Sequence, residues 1–299
     1  MRPLRSLLLF VAVVFLGGAL LAPWLYWLAG AVAPSLAEKP FHRFVNRSIL
    51  GLALLGLWPF LRSLGVGSFR DVGLVWPARQ WKRLAAGLGL GFASLACVAA
   101  LALLGGARRL NADLSALDFA WKFTGIALSA VVVALLEEVL FRGALFGALR
   151  KAWHWSFALV LSSMVYALLH FMESARLSGP VRWTSGLELL PLMLRGFADA
   201  HAVLPGFFNL TLAGAILCFA YVRTGNLWFS IGLHAGWILW LKSYNAVMTD
   251  VAGAKVWFWG SGKLIDGWLA LPLLALVLLA VRRVFRPTDS RSPYGGIGV

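Results

Sequence analysis

The stretch Leu135-Leu-Glu-Glu-Val-Leu-Phe-Arg-Gly143 decides the fold of this chain. It places two carboxyl groups and a guanidinium inside an apolar run that extends from about Gly125 to Leu149. A run of that length predicts a membrane-spanning helix. A charge at the centre of such a helix costs roughly 2.5–3.5 kcal/mol on insertion scales, so ionisable residues there indicate a functional site by default.

The composition of the whole chain is typical of a membrane protein. Of its 299 residues, 61% are hydrophobic and 13% are charged, whereas a soluble domain is about half apolar and about a quarter charged. The 27 Lys and Arg residues exceed the 12 acidic ones, but they fall in loops and at helix ends. This placement indicates contacts with anionic lipid headgroups, and it does not indicate binding of nucleic acid. Cys97 and Cys218 form no CxxC pair and indicate neither zinc nor a redox site.

Apolar runs predict an all-α, polytopic bundle of about eight transmembrane helices. The fourth to seventh helices would form the core that holds the functional site. We expect one integral-membrane domain over residues 1–286 and a disordered tail over residues 287–299. The expected spans are about Leu7–Ala29, Ser48–Leu64, Leu84–Leu104, Gly125–Leu149, Ser156–Phe171, Pro205–Tyr221, Leu227–Leu241 and Trp268–Val284.

The segments between the spans carry further expectations. Phe41–Arg47 and Arg108–Lys122 are expected to be loops, and Leu187–Phe197 a short helix on or in the membrane surface. The Gly- and Ala-rich third span is expected to permit close helix contact. Eight spans place both termini on one side, and the basic loops favour the cytoplasm for that side, in a bacterial inner membrane or its equivalent.

The chemistry of the chain is concentrated in the fourth span. Glu137 and Glu138 are the only acidic residues deep in any predicted span. Glu138 and Arg142 are four residues apart, so they share a helix face and can pair. Glu137 points about 100° away from Glu138 around the helix axis, so it has no partner on its own helix face. A carboxyl group in this setting is suited to general acid/base chemistry.

Two histidines fall inside other predicted spans, His170 in the fifth and His234 in the seventh. At ~1.5 Å of rise per residue, both could reach the membrane depth of Glu137. An isolated intramembrane histidine more often makes a hydrogen bond between helices than it takes part in catalysis. A Glu–Arg pair four residues apart is equally compatible with a purely structural role. Their occurrence together in one chain is much less expected by chance, and it favours a site.

These elements resemble the three motifs of the CAAX prenyl endopeptidase and bacteriocin-processing family, also called the ABI family. The matching elements are Glu-Glu-x-x-x-Arg ending at Arg142, Tyr166-x-x-x-His170, and His234 within Gly-Leu-His-Ala-Gly-Trp. The resemblance covers about Thr124 to Leu241. It implies an intramembrane endopeptidase of the glutamic type.

The resemblance also implies a role for each matched residue. Glu137 matches the base that activates water, and His170 matches the residue that holds this water with it. His234 matches a residue that helps to stabilise the oxyanion. Glu138 and Arg142 match supporting residues that maintain helix geometry and charge. Peptide hydrolysis needs a base, an orienting group and a donor to the oxyanion.

Two positions depart from the family pattern. The second motif usually opens with Phe, where this chain has Tyr166, and the third usually carries Asn or Asp at the position of Ile238. Ile cannot donate a hydrogen bond to an oxyanion. Asn209 in the sixth span is the candidate replacement, because Asn245 lies about 16 Å beyond His234 along its helix.

Three functions remain open at this stage. The first is hydrolysis of a membrane-associated polypeptide within the lipid bilayer, without a cofactor. The second is a zinc-dependent version with Glu137, His170 and His234 as ligands, although the chain has no His-Glu-x-x-His. The third is a proton-coupled transporter or a non-catalytic scaffold. Prenylated proteins, leader peptides, C-terminal sorting segments and membrane-bound regulators all remain open as substrates.

Overall fold

A computed structural model describes residues 2–111, 115–172 and 175–285, so the expected tail at residues 287–299 lies outside the described residues. Helices dominate this part of the chain, as the composition predicts. The α-helices are α1 (Arg2–Ala12), α2 (Gly18–Val32), α3 (Pro34–Ala37), α4 (His42–Ser63), α5 (Trp81–Leu104), α6 (Ala116–Glu138), α7 (Gly147–Leu149), α8 (Trp155–Leu169), α9 (Ser185–Met193), α10 (Ala200–Thr224), α11 (Trp228–Val247), α12 (Val256–Trp259) and α13 (Ala270–Val284).

Shorter elements join or interrupt these helices. Two π-helical segments, Val13–Gly17 and Val139–Phe146, connect α1 to α2 and α6 to α7. Short 3₁₀ turns occupy Phe69–Val72, Pro77–Arg79 and Leu194–Phe197. Two strands, β1 (Arg108–Leu110) and β2 (Met248–Asp250), pair antiparallel with Arg108 opposite Asp250.

Five helical segments of the described chain are long and apolar enough to cross a membrane, which supports a bundle of membrane-spanning helices. The helix Trp155–Leu169 is apolar but shorter. The count of about eight spans, and a core in the fourth to seventh, therefore stay predictions. The five segments are Pro3–Val32, His42–Ser63, Trp81–Leu104, Leu117–Leu149 and Val203–Thr224.

The expected loops at Phe41–Arg47 and Arg108–Lys122 are largely structured, so both predictions need correction. α4 already begins at His42, because its polar first turns are amphipathic: Val45 is buried while Arg43 is exposed. In the second segment, β1 occupies Arg108–Leu110 and α6 begins at Ala116. Three-residue strands are too short to show the alternating pattern by which strands are recognised in a sequence.

Over its described residues, the chain divides into two compact units, one within residues 1–67 and 168–200 and the other within residues 68–167 and 201–299. The single domain predicted over residues 1–286 is not tested by this division. In the first unit, the expected short helix is present as α9. It packs closely on α2, since any side chain at Gly186 would overlap the carbonyl group of Ala19.

In the second unit, glycines bring α5 and α11 into backbone contact. A Cβ atom at Gly91 would overlap the carbonyl of Leu233, and one at Gly232 would overlap the carbonyl of Leu84. This arrangement confirms the close helix contact that the third span predicts. A second tie is the hydrogen bond from Trp237 Nε1 to Ser94 Oγ, at 2.9 Å. Residue 234 is thus carried by a helix with little freedom to shift.

The start of α11 is held by the turn before it and by the loop that precedes α5. Asn226 Oδ1 accepts a hydrogen bond from the backbone N–H of Trp228 at 3.2 Å. The indole of Trp228 donates to the carbonyl of Val75 at 2.9 Å, and the backbone N–H of Leu227 donates to the carbonyl of Gly73 at 3.0 Å. These bonds fix the position of the first turn of α11 relative to the loop before α5.

Candidate active site

The stretch from Leu135 to Gly143 forms the junction between α6 and a π-helix. α6 ends at Glu138, and the π-helical segment Val139–Phe146 follows without a break. π-Helical turns inside α-helices occur frequently at functional sites. Arg142 lies in this segment, and its Nη1 donates to Glu138 Oε1 at 2.8 Å, which confirms the predicted pair. The sequence did not predict the π-helix.

The buried guanidinium of Arg142 has three kinds of partner. Besides Glu138, its Nη2 donates to the carbonyl of Gly214 in α10 at 3.3 Å. Its Cζ lies 4.7 Å from the centre of the Tyr166 ring, within range of a cation–π contact. A buried charge needs such compensation, because leaving it unpaired would be strongly destabilising.

Glu138 is fully buried and joins Arg142 to His234. Its Oε1 accepts from Arg142 and also lies 2.9 Å from His234 Nδ1. A carboxylate can only accept hydrogen bonds, so Nδ1 carries a proton. Glu138 therefore orients the imidazole ring as well as pairing with Arg142, a connection that the sequence did not predict.

The other nitrogen of His234, Nε2, faces Tyr166 and Glu137. It lies 3.3 Å from Tyr166 Oη and 3.7 Å from Glu137 Oε2. In the neutral ring with its proton on Nδ1, Nε2 is an acceptor, so the tyrosine hydroxyl donates to it. The separation from Glu137 is longer than a hydrogen bond.

The Glu137 side chain is 29% exposed, whereas that of Glu138 is not exposed at all. Its Oε2 is nevertheless buried, and it makes no hydrogen bond within the described chain. Since Arg142 balances the charge of Glu138, one further proton on either Glu137 or His234 would make these four groups neutral together. A carboxyl group beside an imidazole ring is an arrangement that general acid/base chemistry uses.

Tyr166 is the member of this cluster that sequence reasoning missed. The sequence pattern identifies it only as the residue that opens the second motif. The structure buries it, packs its ring edge-to-face on Phe141 with centroids 5.0 Å apart, and directs its hydroxyl at His234. The available signal was the presence of a hydroxyl group where the family pattern has Phe.

The structure leaves the predicted role of His170 untested. His170 is exposed and directly follows the last residue of α8, Leu169, at a position that belongs to the first unit. Glu137, Glu138, Arg142 and His234 all belong to the second. The approach of His170 to Glu137 stays a prediction.

Asn209 does not have the role that the sequence predicts for it. Its Nδ2 donates to the carbonyls of Ile265 at 2.7 Å and Gly267 at 2.8 Å. Both hydrogens of the side-chain amide are thus used by the segment before α13, and none is left for an oxyanion. The expectation that Asn209 replaces the donor missing at Ile238 is therefore corrected. Asn209 anchors a loop.

The zinc-dependent alternative receives no support from the arrangement of side chains. Among the residues that the structure describes, no three His, Cys, Asp or Glu side chains are placed so that they could hold a metal ion. Of the two predicted ligands in the second unit, His234 is hydrogen-bonded through Nδ1 to Glu138, and its Nε2 lies 3.7 Å from Glu137 Oε2.

Comparison with known proteins locates a family within the chain. Residues 119–240 match the family described as type II CAAX prenyl endopeptidase Rce1-like. No curated protein and no solved structure matches the chain. The matched segment nearly coincides with the predicted range from Thr124 to Leu241, and it contains the first and third motifs together with Tyr166 and His170. This integral membrane protein therefore carries, at residues 119–240, a type II CAAX prenyl endopeptidase Rce1-like domain.

Proposed function

We propose that the protein is an intramembrane endopeptidase in which Glu137 activates water to hydrolyse a peptide bond. The observation that carries this proposal is the position of His234, whose ring is held by Glu138 with Nε2 3.7 Å from Glu137 Oε2. The peptidase family of the matched segment supports the same class of reaction.

The reaction follows from the chemistry of these groups. The Glu137 carboxylate takes a proton from water as the water oxygen attacks the carbonyl carbon, and the C=O electron pair moves to the oxygen. Protonated His234 would stabilise this oxyanion with its Nε2–H. When the intermediate collapses, the C=O bond re-forms, the C–N bond breaks and the proton on Glu137 passes to the leaving nitrogen.

Glu138 and Arg142 would act through His234 and the helix rather than on the substrate. Their pairing balances the charge of one carboxyl group, which leaves Glu137 as the carboxylate that takes the proton from water. His170 is proposed, from its motif alone, to hold the water together with Glu137. Its place four residues after Tyr166 in the sequence supports this assignment, because that spacing favours one helix face.

The substrate is proposed to be a membrane-associated polypeptide that reaches the site from the bilayer. The matched family is described by CAAX prenyl endopeptidases, so a peptide bond near a lipid-modified C-terminus is the first substrate to test. We also propose that the protein resides in a bacterial inner membrane or its equivalent with cytoplasmic termini, which the basic loops favour.

The decisive experiment compares purified wild type and Glu137→Gln in proteoliposomes. A set of farnesylated and unmodified peptides is offered, and the products are measured by mass spectrometry. Glu137→Gln should abolish cleavage because an amide cannot take a proton from water. Glu188→Gln, the same change on the exposed face of α9, is the matched control and should cleave at the wild-type rate.

Equal cleavage by wild type and Glu137→Gln would overturn the proposal. Proton-coupled solute uptake by the same vesicles, lost in Glu137→Gln, would favour a transporter instead. The zinc-dependent version predicts that activity falls when the metal is chelated and returns when zinc is added. Full activity after complete chelation excludes it.

A further inference from the structure

We propose that Tyr166 is a positioning residue for hydrolysis, whose hydroxyl directs Nε2 of His234 toward Glu137. This inference rests on the function proposed above. It assigns to the chain a second hydrogen-bonding partner for the histidine, in addition to Glu138.

Packing contacts fix the position of the Tyr166 ring independently of any hydrogen bond made by its hydroxyl. Phe141 packs edge-to-face on it at 5.0 Å between centroids, and the Arg142 guanidinium lies over it at 4.7 Å. Both neighbours belong to the π-helical segment, and Tyr166 itself is 3% exposed. The phenol oxygen therefore has a defined position, 3.3 Å from His234 Nε2.

The two partners of His234 hold opposite edges of its ring. Glu138 accepts from Nδ1, and the hydroxyl of Tyr166 lies 3.3 Å from Nε2. A carboxylate at Nδ1 alone leaves the ring free to tilt about that one bond. A second bond at Nε2 removes this freedom, so that the 3.7 Å separation from Glu137 Oε2 is maintained.

A hydroxyl is suited to this place because it can serve both states of the imidazole. It donates to Nε2 when the ring is neutral, and it can turn its hydrogen away when Nε2 is protonated, which leaves the Nε2–H for the oxyanion. Phe would fill the same space and keep both ring contacts, but it would leave a buried Nε2 without this partner. Tyr166→Phe therefore tests the hydroxyl group without changing the packing of the ring.

The kinetic test is Tyr166→Phe in the cleavage assay. Loss of one such hydrogen bond should lower kcat by about 3- to 10-fold with KM changed less than about 2-fold. The pH dependence of kcat should also change. Tyr244→Phe is the matched control, because it also removes a buried tyrosine hydroxyl. Tyr244 lies on α11, about 15 Å from His234 along the helix. It should leave both quantities unchanged.

A second measurement needs no substrate and so separates this inference from the proposed function. In protein labelled with ¹⁵N-histidine, the signals of His234 are assigned by their loss in His234→Gln. Tyr166→Phe should move the Nε2 resonance and leave Nδ1 protonated, while Tyr244→Phe should move neither. An Nε2 resonance that is identical in wild type and Tyr166→Phe would overturn the inference, whether or not cleavage is observed. Unchanged kcat and pH dependence in an active enzyme would overturn it equally.

Discussion

His234 Nδ1 lies 2.9 Å from Glu138 Oε1, the same oxygen that accepts from Arg142. One oxygen therefore links the guanidinium of the π-helical segment to the imidazole of α11. Oε2 of neighbouring Glu137 accepts no hydrogen bond from the described residues, although the two side chains are chemically identical. The two adjacent glutamates thus have different environments, and isosteric substitutions should separate them.

Glu138→Gln should be strongly destabilising, whereas Glu137→Gln should change stability little. The first removes the charge that balances buried Arg142, and breaking one side of a buried ion pair costs about 3–5 kcal/mol. The second alters a partly exposed group whose Oε2 has no hydrogen-bond partner among the described residues. Thermal unfolding in detergent measures both, and a midpoint equally lowered in the two variants would contradict the assignment.

Gly91→Ala should destabilise the protein and reduce activity, because its Cβ would overlap the carbonyl of Leu233. Overpacking of this kind costs typically about 1–3 kcal/mol. Gly89→Ala on the same helix is the control, since nothing lies within 4 Å of a Cβ there. It should stabilise α5 slightly through helix propensity.

The measurement for this pair is the unfolding midpoint together with the cleavage rate. If Gly91→Ala were as stable and as active as Gly89→Ala, then the close contact between α5 and α11 would not be needed to hold His234.

Asn209→Ala should lower stability without lowering kcat of the folded protein. It removes two hydrogen bonds to the carbonyls of Ile265 and Gly267, each worth about 0.5–1.5 kcal/mol. The assay is cleavage normalised to the folded fraction. A loss of about 100-fold in kcat at unchanged stability is the size expected for an oxyanion donor, and it would restore the role that the sequence suggests.

The exposed carboxyl group of Glu188 should contribute a pH-dependent increment of stability. A hydrogen bond from Thr184, with Arg182 nearby, holds the pKa of Glu188 below its usual value. Because the pKa is depressed in the folded state, this stabilisation is present above the ordinary carboxyl pKa and is lost as the pH falls through the lowered one.

Wild type should therefore unfold at a higher temperature than Thr184→Ala at pH 7, and the difference should shrink at an acidic pH below the lowered pKa of Glu188. Unfolding curves at the two pH values measure this effect, and a difference that persists unchanged in acid would contradict it. The group is exposed to water, so the effect should be small.

Features that depend on spacing within one helix could be read from the chain itself. The Glu138–Arg142 pair is of this kind, because a separation of four residues places two side chains on one helix face. The glycines of α5 likewise indicated a close helix contact. The π-helix after Glu138 could not be foreseen, because its sequence is equally compatible with an α-helix.

The assignment of Asn209 failed for a different reason. Its depth in the predicted sixth span was compatible with the site, but depth along one helix does not say which neighbour a side chain faces. The segment from Ile265 to Gly267 lies about 56 residues further along the chain and supplies the carbonyls that the amide bonds. No local pattern reports such a contact.

By itself the sequence determined a helical membrane protein, a carboxylate pair in an apolar helix and the motifs of a peptidase family. Each of these depends on composition or on short spacing. Only the tertiary structure decided that Glu138 binds the ring of His234, that Tyr166 faces the same ring and that Asn209 anchors a loop. The bond between Glu138 and His234 joins positions 96 residues apart, and only the packing of α11 beside α6 brings them together.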